Sequence, residues 1–336
     1  MSRTSPGMSR WSAALALAAC CAAGPAYADR ILSASHQWPG GIGDLRDEMV
    51  RLLAREVEAA DVGLTVRIFP AQSLFRAREQ WSALTTGQLD LSVFPPDYAG
   101  GRHPEFHATL MPGLVRNHDH ARRLNDSAFM DRLKEIMNEA GVVVIADAWL
   151  AGGFASRQGC ILEPADIEGQ MARAAGSAFE QMLAGAGASI TSMPSSEAYT
   201  ALQTGVLDAV NTSSASFVSY RLYEQVACVT PPGDHALWFM YEPILMSRAT
   251  WDSLTEEQRA ALREAGDLAE AYAYEAAIAA DETMVEVFRD NGVEVAFMTE
   301  EQADRWRAVA AETAYPSFAE QVDGGRALLN LALSVE

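Results

Sequence analysis

The sequence predicts an α/β protein of two similar lobes braced by one long helix. Three observations carry this reading. Strand and helix patterns alternate from residue 31 onward, a twelve-residue segment recurs 118 positions later, and one helical pattern of about 35 residues follows the second lobe. Alternation of this kind builds a parallel sheet with crossover helices.

In chain order, residues 31–36 read as a strand, 44–59 as an amphipathic helix, and 64–69 as a strand stopped by Pro70. A helix follows at 76–86 and a strand at 89–94. The recurrence relates residues 79–90 to 197–208. Seven of the twelve positions are identical: Glu79/Glu197, Ala83/Ala201, Leu84/Leu202, Thr86/Thr204, Gly87/Gly205, Leu89/Leu207 and Asp90/Asp208. Both copies follow a strand ending in proline, Pro70 or Pro194. Each reads as a helix stopped by a glycine and turned into a buried strand. Residues 142–149 and 153–157 look like strands interrupted by a hinge at Gly152-Gly153, and residues 236–246 form a second extended crossing. Thr255-Glu256-Glu257-Gln258 is a capping box, and the helical pattern runs to Asn291-Gly292. At about 1.5 Å per residue this helix is roughly 53 Å long, enough to brace both lobes. Leu262, Leu268, Tyr272, Tyr274, Ile278 and Met284 keep no heptad, so it does not read as a coiled coil. A strand at 293–297 and helices at 300–312 and 325–333 finish the chain. Residues 29–150 with about 243–282 form lobe I, and residues 151–242 with about 283–336 form lobe II.

Of 336 residues, 49% are hydrophobic and 21% charged, with 45 acids against 25 bases. This excludes a disordered or collagen-like chain. A net charge of −20 argues against nucleic acid or anionic lipid as the main partner, because both require a basic face. Lys134 is the only lysine, a skew that reads mostly as coding bias.

Residues 1–28 read as a signal peptide. Arg3 and Arg10 precede an apolar stretch at 11–19, and Ala26-Tyr27-Ala28 is a cleavage site before Asp29. Leu17-Ala18-Ala19-Cys20 offers the alternative of a lipoprotein anchored at Cys20. Either route exports the chain. Cleavage after Ala28 removes two arginines and no acid, which leaves a formal charge of −22. Cys160 and Cys228 then remain in an oxidising compartment, either as a disulfide or as two separate thiols.

Residues 157–223 resemble the core of the solute-binding subunits of tripartite ATP-independent periplasmic (TRAP) transporters, dicarboxylate-binding type. The likeness rests on Pro164-Ala165-Asp166-Ile167-Glu168-Gly169 followed by Met171-Ala172-Arg173. It continues through Met193-Pro194 and the run from Ser195 to Asp208, and it extends over essentially all of the mature chain. The resemblance implies a type II-like, Venus-flytrap binding protein that closes on a small organic acid. Its partners would be the small and large membrane subunits of a TRAP transporter, with no cofactor. It assigns Arg173 as the carboxylate anchor, since a planar guanidinium offers two parallel donors. The alternative for Arg173 is a surface ion pair. Asn211 is either a polar ligand contact or a cap for the helix beginning near Ser213. Phe94, Asp97 and Tyr98 in lobe I, and His36, Gln37 and Trp38 after the first strand, lie at carboxyl strand ends, where open α/β sheets bind ligands. Trp238 walls the cleft or packs the hinge. The family usually carries a second arginine near the position that Phe154 takes here, with Arg157 a weaker substitute. This departure points to a monocarboxylate or partly aromatic ligand.

Other chemistry is weakly represented. The chain lacks a G-x-S-x-G elbow, a P-loop and an H-E-x-x-H motif, so it does not read as an enzyme. Gly40-Gly41-Ile42-Gly43 lacks the lysine of a phosphate loop, although the helix start at Asp44 could assist an anion. His103, His107, His118 and His120 raise a different class, a periplasmic metal-capture protein, but Pro104 breaks a regular helical pairing and no metal site is expected. A ligand-sensing partner of a membrane receptor is a third class.

Overall fold

A computed structural model describes residues 30–336. The cleavage site at Ala28 and the lipid site at Cys20 lie outside the described residues. The chain begins with β1 (Arg30–Ser35), α1 (Leu45–Ala59), β2 (Leu64–Phe69), α2 (Gln80–Thr85) and β3 (Leu91–Val93). It then forms α3 (His118–Asn125), α4 (Ala128–Glu139) and β4 (Val142–Ala146). The second stretch holds β5 (Trp149–Ser156), β6 (Met171–Ala174), α5 (Ser177–Gly185), β7 (Ser189–Ser192) and α6 (Ala198–Gln203). β8 (Ala209–Ser213), α7 (Ser214–Ser219), β9 (Cys228–Thr230) and β10 (Trp238–Tyr241) follow. The return comprises β11 (Ile244–Ser247), α8 (Arg248–Ser253), α9 (Glu256–Asp290) and β12 (Glu294–Val295). Three helices close the chain: α10 (Glu300–Glu312), α11 (Ala314–Gln321) and α12 (Gly325–Leu333). Among the described residues, no helix is long and apolar enough to cross a membrane.

Two sheets form the lobes. The first has the order β2-β1-β3-β11-β4, and the second runs β12-β9-β5-β8-β6-β7 with β10 paired to the start of β5. The internal repeat appears directly in this topology. β2-β1-β3 and β7-β6-β8 are both parallel triplets, each followed by an antiparallel strand. The repeated aspartates have equivalent jobs. Asp90 accepts from the Ser33 backbone N–H at 2.8 Å, and Asp208 from that of Met171 at 3.0 Å, so each turn is fastened to the central strand of its triplet. Gly87 and Gly205 take φ of +72° and +75°, a conformation that an L side chain resists. The predicted helix at 76–86 is instead a short 3₁₀ turn, Ala77–Glu79, leading into α2.

The expected hinge at Gly152-Gly153 is corrected by the structure. β5 runs straight through both glycines in the second sheet. A Cβ on Gly152 would lie 1.9 Å from the Thr212 carbonyl oxygen, and one on Gly153 equally close to that of Thr230. These glycines serve close backbone approach. The chain instead passes between sheets at Asp147-Ala148 and at Glu242-Pro243, which are linked by the Glu242 N–H donating to the Ala148 carbonyl at 2.8 Å.

α9 matches its predicted length, with the Thr255–Gln258 capping box formed. Its buried stripe is built mostly from small residues: Leu268 is 49% exposed, and the core is met by Ala261, Ala265, Ala269, Ala273 and Ala277 together with Leu262 and Met284. A small residue at every fourth position lets neighbouring elements approach closely. The alanines from 265 to 277 join the core of α1 and β1, whereas Met284 and Phe288 join that of β8 and β9. α12 was grouped by sequence with lobe II, yet Leu328, Leu329 and Ala332 pack in the same core as Leu133 and Met137 of α4.

Candidate functional site

Arg173 stands at the carboxyl end of β6, where a parallel sheet opens its backbone to a crevice. It is 1% exposed. Nε donates to the Met193 carbonyl at 2.9 Å, Nη1 to the Asn211 carbonyl at 2.6 Å, and Nη2 to the Tyr98 hydroxyl at 3.3 Å. All three acceptors are neutral, so none of these bonds pairs the guanidinium with an anion, and two of its five N–H groups remain for another acceptor.

Tyr98 comes from the first lobe and joins the two. Its hydroxyl also accepts from the Ser195 backbone N–H at 3.1 Å and from Gln37 Nε2 at 3.3 Å. Further bonds cross the same seam: Tyr220 donates to the Gln37 carbonyl at 3.1 Å, Arg78 to Ser192 at 2.9 Å, and Trp38 to Ser216 at 3.3 Å. Asp97 crosses as well. Its carboxylate fills the space that a Cβ on Gly176 would need, with one oxygen 1.8 Å from that position. His107 Nδ1 holds Asp97 at 2.8 Å, and although burial works against the imidazolium, the Asp97 contact prevails and raises the His107 pKa.

Several buried polar atoms in this region carry hydrogen-bonding capacity that the protein does not use. They include both side-chain heteroatoms of Asn211, Oε1 of Gln37 and Nε1 of Trp238. Gly152 and Phe154 lie on one face of β5; Trp238 pairs opposite Gly152 and Asn211 opposite Phe154, which places all four on that face. An unpaired buried polar group costs about 1–3 kcal/mol, so native structures seldom leave several together without a purpose.

Sequence reasoning missed a second buried guanidinium, Arg46. Its Nε and Nη2 grip the two oxygens of Asp44 at 2.8 and 2.6 Å. Nη1 reaches Ser213 at 2.9 Å, Ser216 at 3.1 Å and Glu242 at 3.1 Å. Its Cζ sits 4.3 Å above the Trp38 ring. Burial disfavours the cation, but Asp44 and Glu242 outweigh it and hold the Arg46 pKa above the ordinary arginine value. Burial also pushes Glu242 up to about 7 despite the pull of Arg46. One signal was available: a base in the first turn of α1 opposes the helix dipole and calls for a specific partner. Asp44 also caps α1, accepting from the Arg46 N–H at 2.9 Å, so this helix start is already filled by its own acid.

The remaining predicted residues divide. His36 is buried against Asp47 at 3.1 Å, and Asp47 is held down at about 2 because the His36, Arg51 and Gly41 contacts outweigh its burial. Phe94 sits in the lobe I core, edge-on to Tyr98 with centroids 6.1 Å apart, and so braces a site residue. Arg157 is corrected: it is exposed beside Gly205, past the far end of β5, and does not reach Arg173. The four histidines are not brought together. His103 packs on Trp81, His107 holds Asp97, His118 pairs with Asp281 at 2.8 Å, and His120 faces the Val335 carbonyl at 3.2 Å. Cys160 and Cys228 are joined as a disulfide, with Cα atoms 5.0 Å apart.

Comparison with known proteins agrees with this architecture. Residues 43–321 match the model of bacterial extracellular solute-binding protein family 7, DctP. A solute-binding protein of Albidiferax ferrireducens is 38% identical over 305 residues, covering 90% of each chain. A TRAP periplasmic solute-binding protein of Rhodoferax ferrireducens, solved with bound malonate, superposes with a TM-score of 0.88 at 38% identity, over 90% of this chain and 98% of that one. A TRAP solute-binding protein of Sulfurospirillum deleyianum, solved with succinate, shares the fold with a TM-score of 0.83 at 22% identity, over 92% of this chain and all of its own. With two fastened α/β lobes, an arginine at the seam and a family match across most of its length, the chain belongs to the DctP family of bacterial extracellular solute-binding proteins.

Proposed function

We propose that this protein captures a small organic acid between its lobes, outside the cytoplasmic membrane, and delivers it to the small and large membrane subunits of a TRAP transporter. The observation that carries the reading is Arg173: a buried guanidinium held by neutral acceptors alone, with two N–H groups to spare. A buried cation requires an anion, and a carboxylate matches the planar fork in two parallel hydrogen bonds. Asn211, Gln37 and Trp238 supply the neutral part of the wall. The malonate bound by the 38%-identical relative supports a small carboxylate as the cargo.

A thermal-shift screen against organic acids tests this. A true ligand at a hundredfold excess over its Kd adds about 2.7 kcal/mol of stability and raises Tm. Arg173→Ala is expected to weaken that ligand by about 100-fold or more while the circular dichroism spectrum stays native. Equal affinity in the folded variant would contradict the proposal.

A further inference from the structure

Two buried guanidiniums lie in the seam, both close enough to Glu242 to favour its charged form, and they differ in their partners. Arg173 is held by two carbonyls and a hydroxyl. Arg46 is held by two carboxylates, one of them bidentate, and by two serines. Four of its five N–H groups are thereby occupied within the protein. We infer that the ligand is a short monocarboxylate bearing a hydroxyl or amide group, and that Arg46, locked to Asp44 and Glu242, excludes a second carboxylate. This rests on the reading that Arg173 receives a carboxylate.

The charge balance supplies the first half of the argument. With Glu242 ionised, Arg46 and Arg173 together balance Asp44 and Glu242, so a first ligand carboxylate is held by the direct hydrogen-bonding fork of Arg173 and already brings the seam to a net negative charge. A second would be buried near Asp44 and Glu242 with no cation left to pair, and burying an unpaired charge is costly. The charged groups acting most strongly on Glu242 are Arg46 from α1, Asp44 at its cap and Arg173 from β6. Specificity would come from this built-in repulsion as much as from attraction. The unused polar atoms supply the second half. Asn211 offers both an acceptor and a donor, and Gln37 Oε1 offers an acceptor. A ligand group that both donates and accepts, a hydroxyl or an amide, satisfies them; a bare alkyl chain leaves them unpaired.

Three four-carbon acids separate these terms: 2-hydroxybutyrate, malate and butyrate. Isothermal titration of the wild-type protein at pH 8, above the Glu242 pKa of about 7, should show 2-hydroxybutyrate binding at least tenfold tighter than malate and tighter than butyrate. Glu242→Gln, or Asp44→Asn should that variant not fold, removes one acid from Arg46. The ratio of malate to 2-hydroxybutyrate affinity should then rise at least tenfold. Malate binding tighter than 2-hydroxybutyrate in the wild type overturns the single-carboxylate inference and leaves the proposed function standing. An unchanged ratio in a folded variant overturns the role of Arg46. Absence of binding by every organic acid overturns both the inference and the reading beneath it.

Discussion

Arg173 and Arg46 show how far single residues could be read. Arg173 stood in a recognisable run after Gly169, and its type and position at a strand end pointed to carboxylate binding. Arg46 stood in no such run. Its importance arises from Ser213, Ser216 and Glu242, between 167 and 196 residues away, and no local pattern encodes partners at that distance. Arg157 fails for a related reason: the sequence placed it near the end of a strand but not on the cleft side. Glu242 makes a prediction at this scale. Its folded pKa of about 7 lies above the ordinary carboxyl value of 4.5. The stability this group contributes is therefore fully present below about pH 4.5 and is lost as pH rises through about 7. The loss is bounded at roughly 3.5 kcal/mol, from about 1.4 kcal/mol per pKa unit. Denaturant unfolding at pH 5 and pH 8 should show Glu242→Gln losing less stability than the wild type between the two values. Parallel profiles would contradict the assignment.

At the level of elements, strands and helices with strong local signals were legible. β2, α10 and α12 match the predicted spans, and the repeat foretold two equivalent parallel triplets. The errors lie where tertiary contact overrides local chemistry. Gly152-Gly153 suggested a break, but neighbouring strands pass so close that only glycine fits. α11 was missed because Pro316 reads as a helix breaker, yet it falls in the first turn, where no intrahelical N–H bond is lost. The alanine stripe of α9 carries no hydrophobic signal comparable to bulkier residues, although close packing needs small ones. Gly152→Ala tests the close-approach account. The new Cβ would meet the Thr212 carbonyl at 1.9 Å and the Trp238 ring at 2.6 Å. Overpacking against backbone should cost about 3 kcal/mol or more in urea unfolding. A neutral effect would show that this strand tolerates a hinge-like adjustment.

Across the whole molecule, the lobes are joined by two short crossings, by α9 along one side, and by a seam of hydrogen bonds through Tyr98, Arg46, Trp38 and Tyr220. A chain carrying net −20 repels organic anions at long range, but salt screens exposed charges beyond about 8 Å. Capture therefore depends on the local field at the seam, where the direct hydrogen bonds of buried Arg173 go to neutral acceptors. The most direct measurement of this claim is a crystal structure of the protein with the acid that gives the largest thermal shift. The account predicts the carboxylate bidentate on Arg173, both oxygens within about 3 Å of its Nη atoms, with Asn211 contacting the rest of the ligand and Arg46 still bound to Asp44 and Glu242. A carboxylate held by Arg46, or a ligand outside the seam, would contradict it.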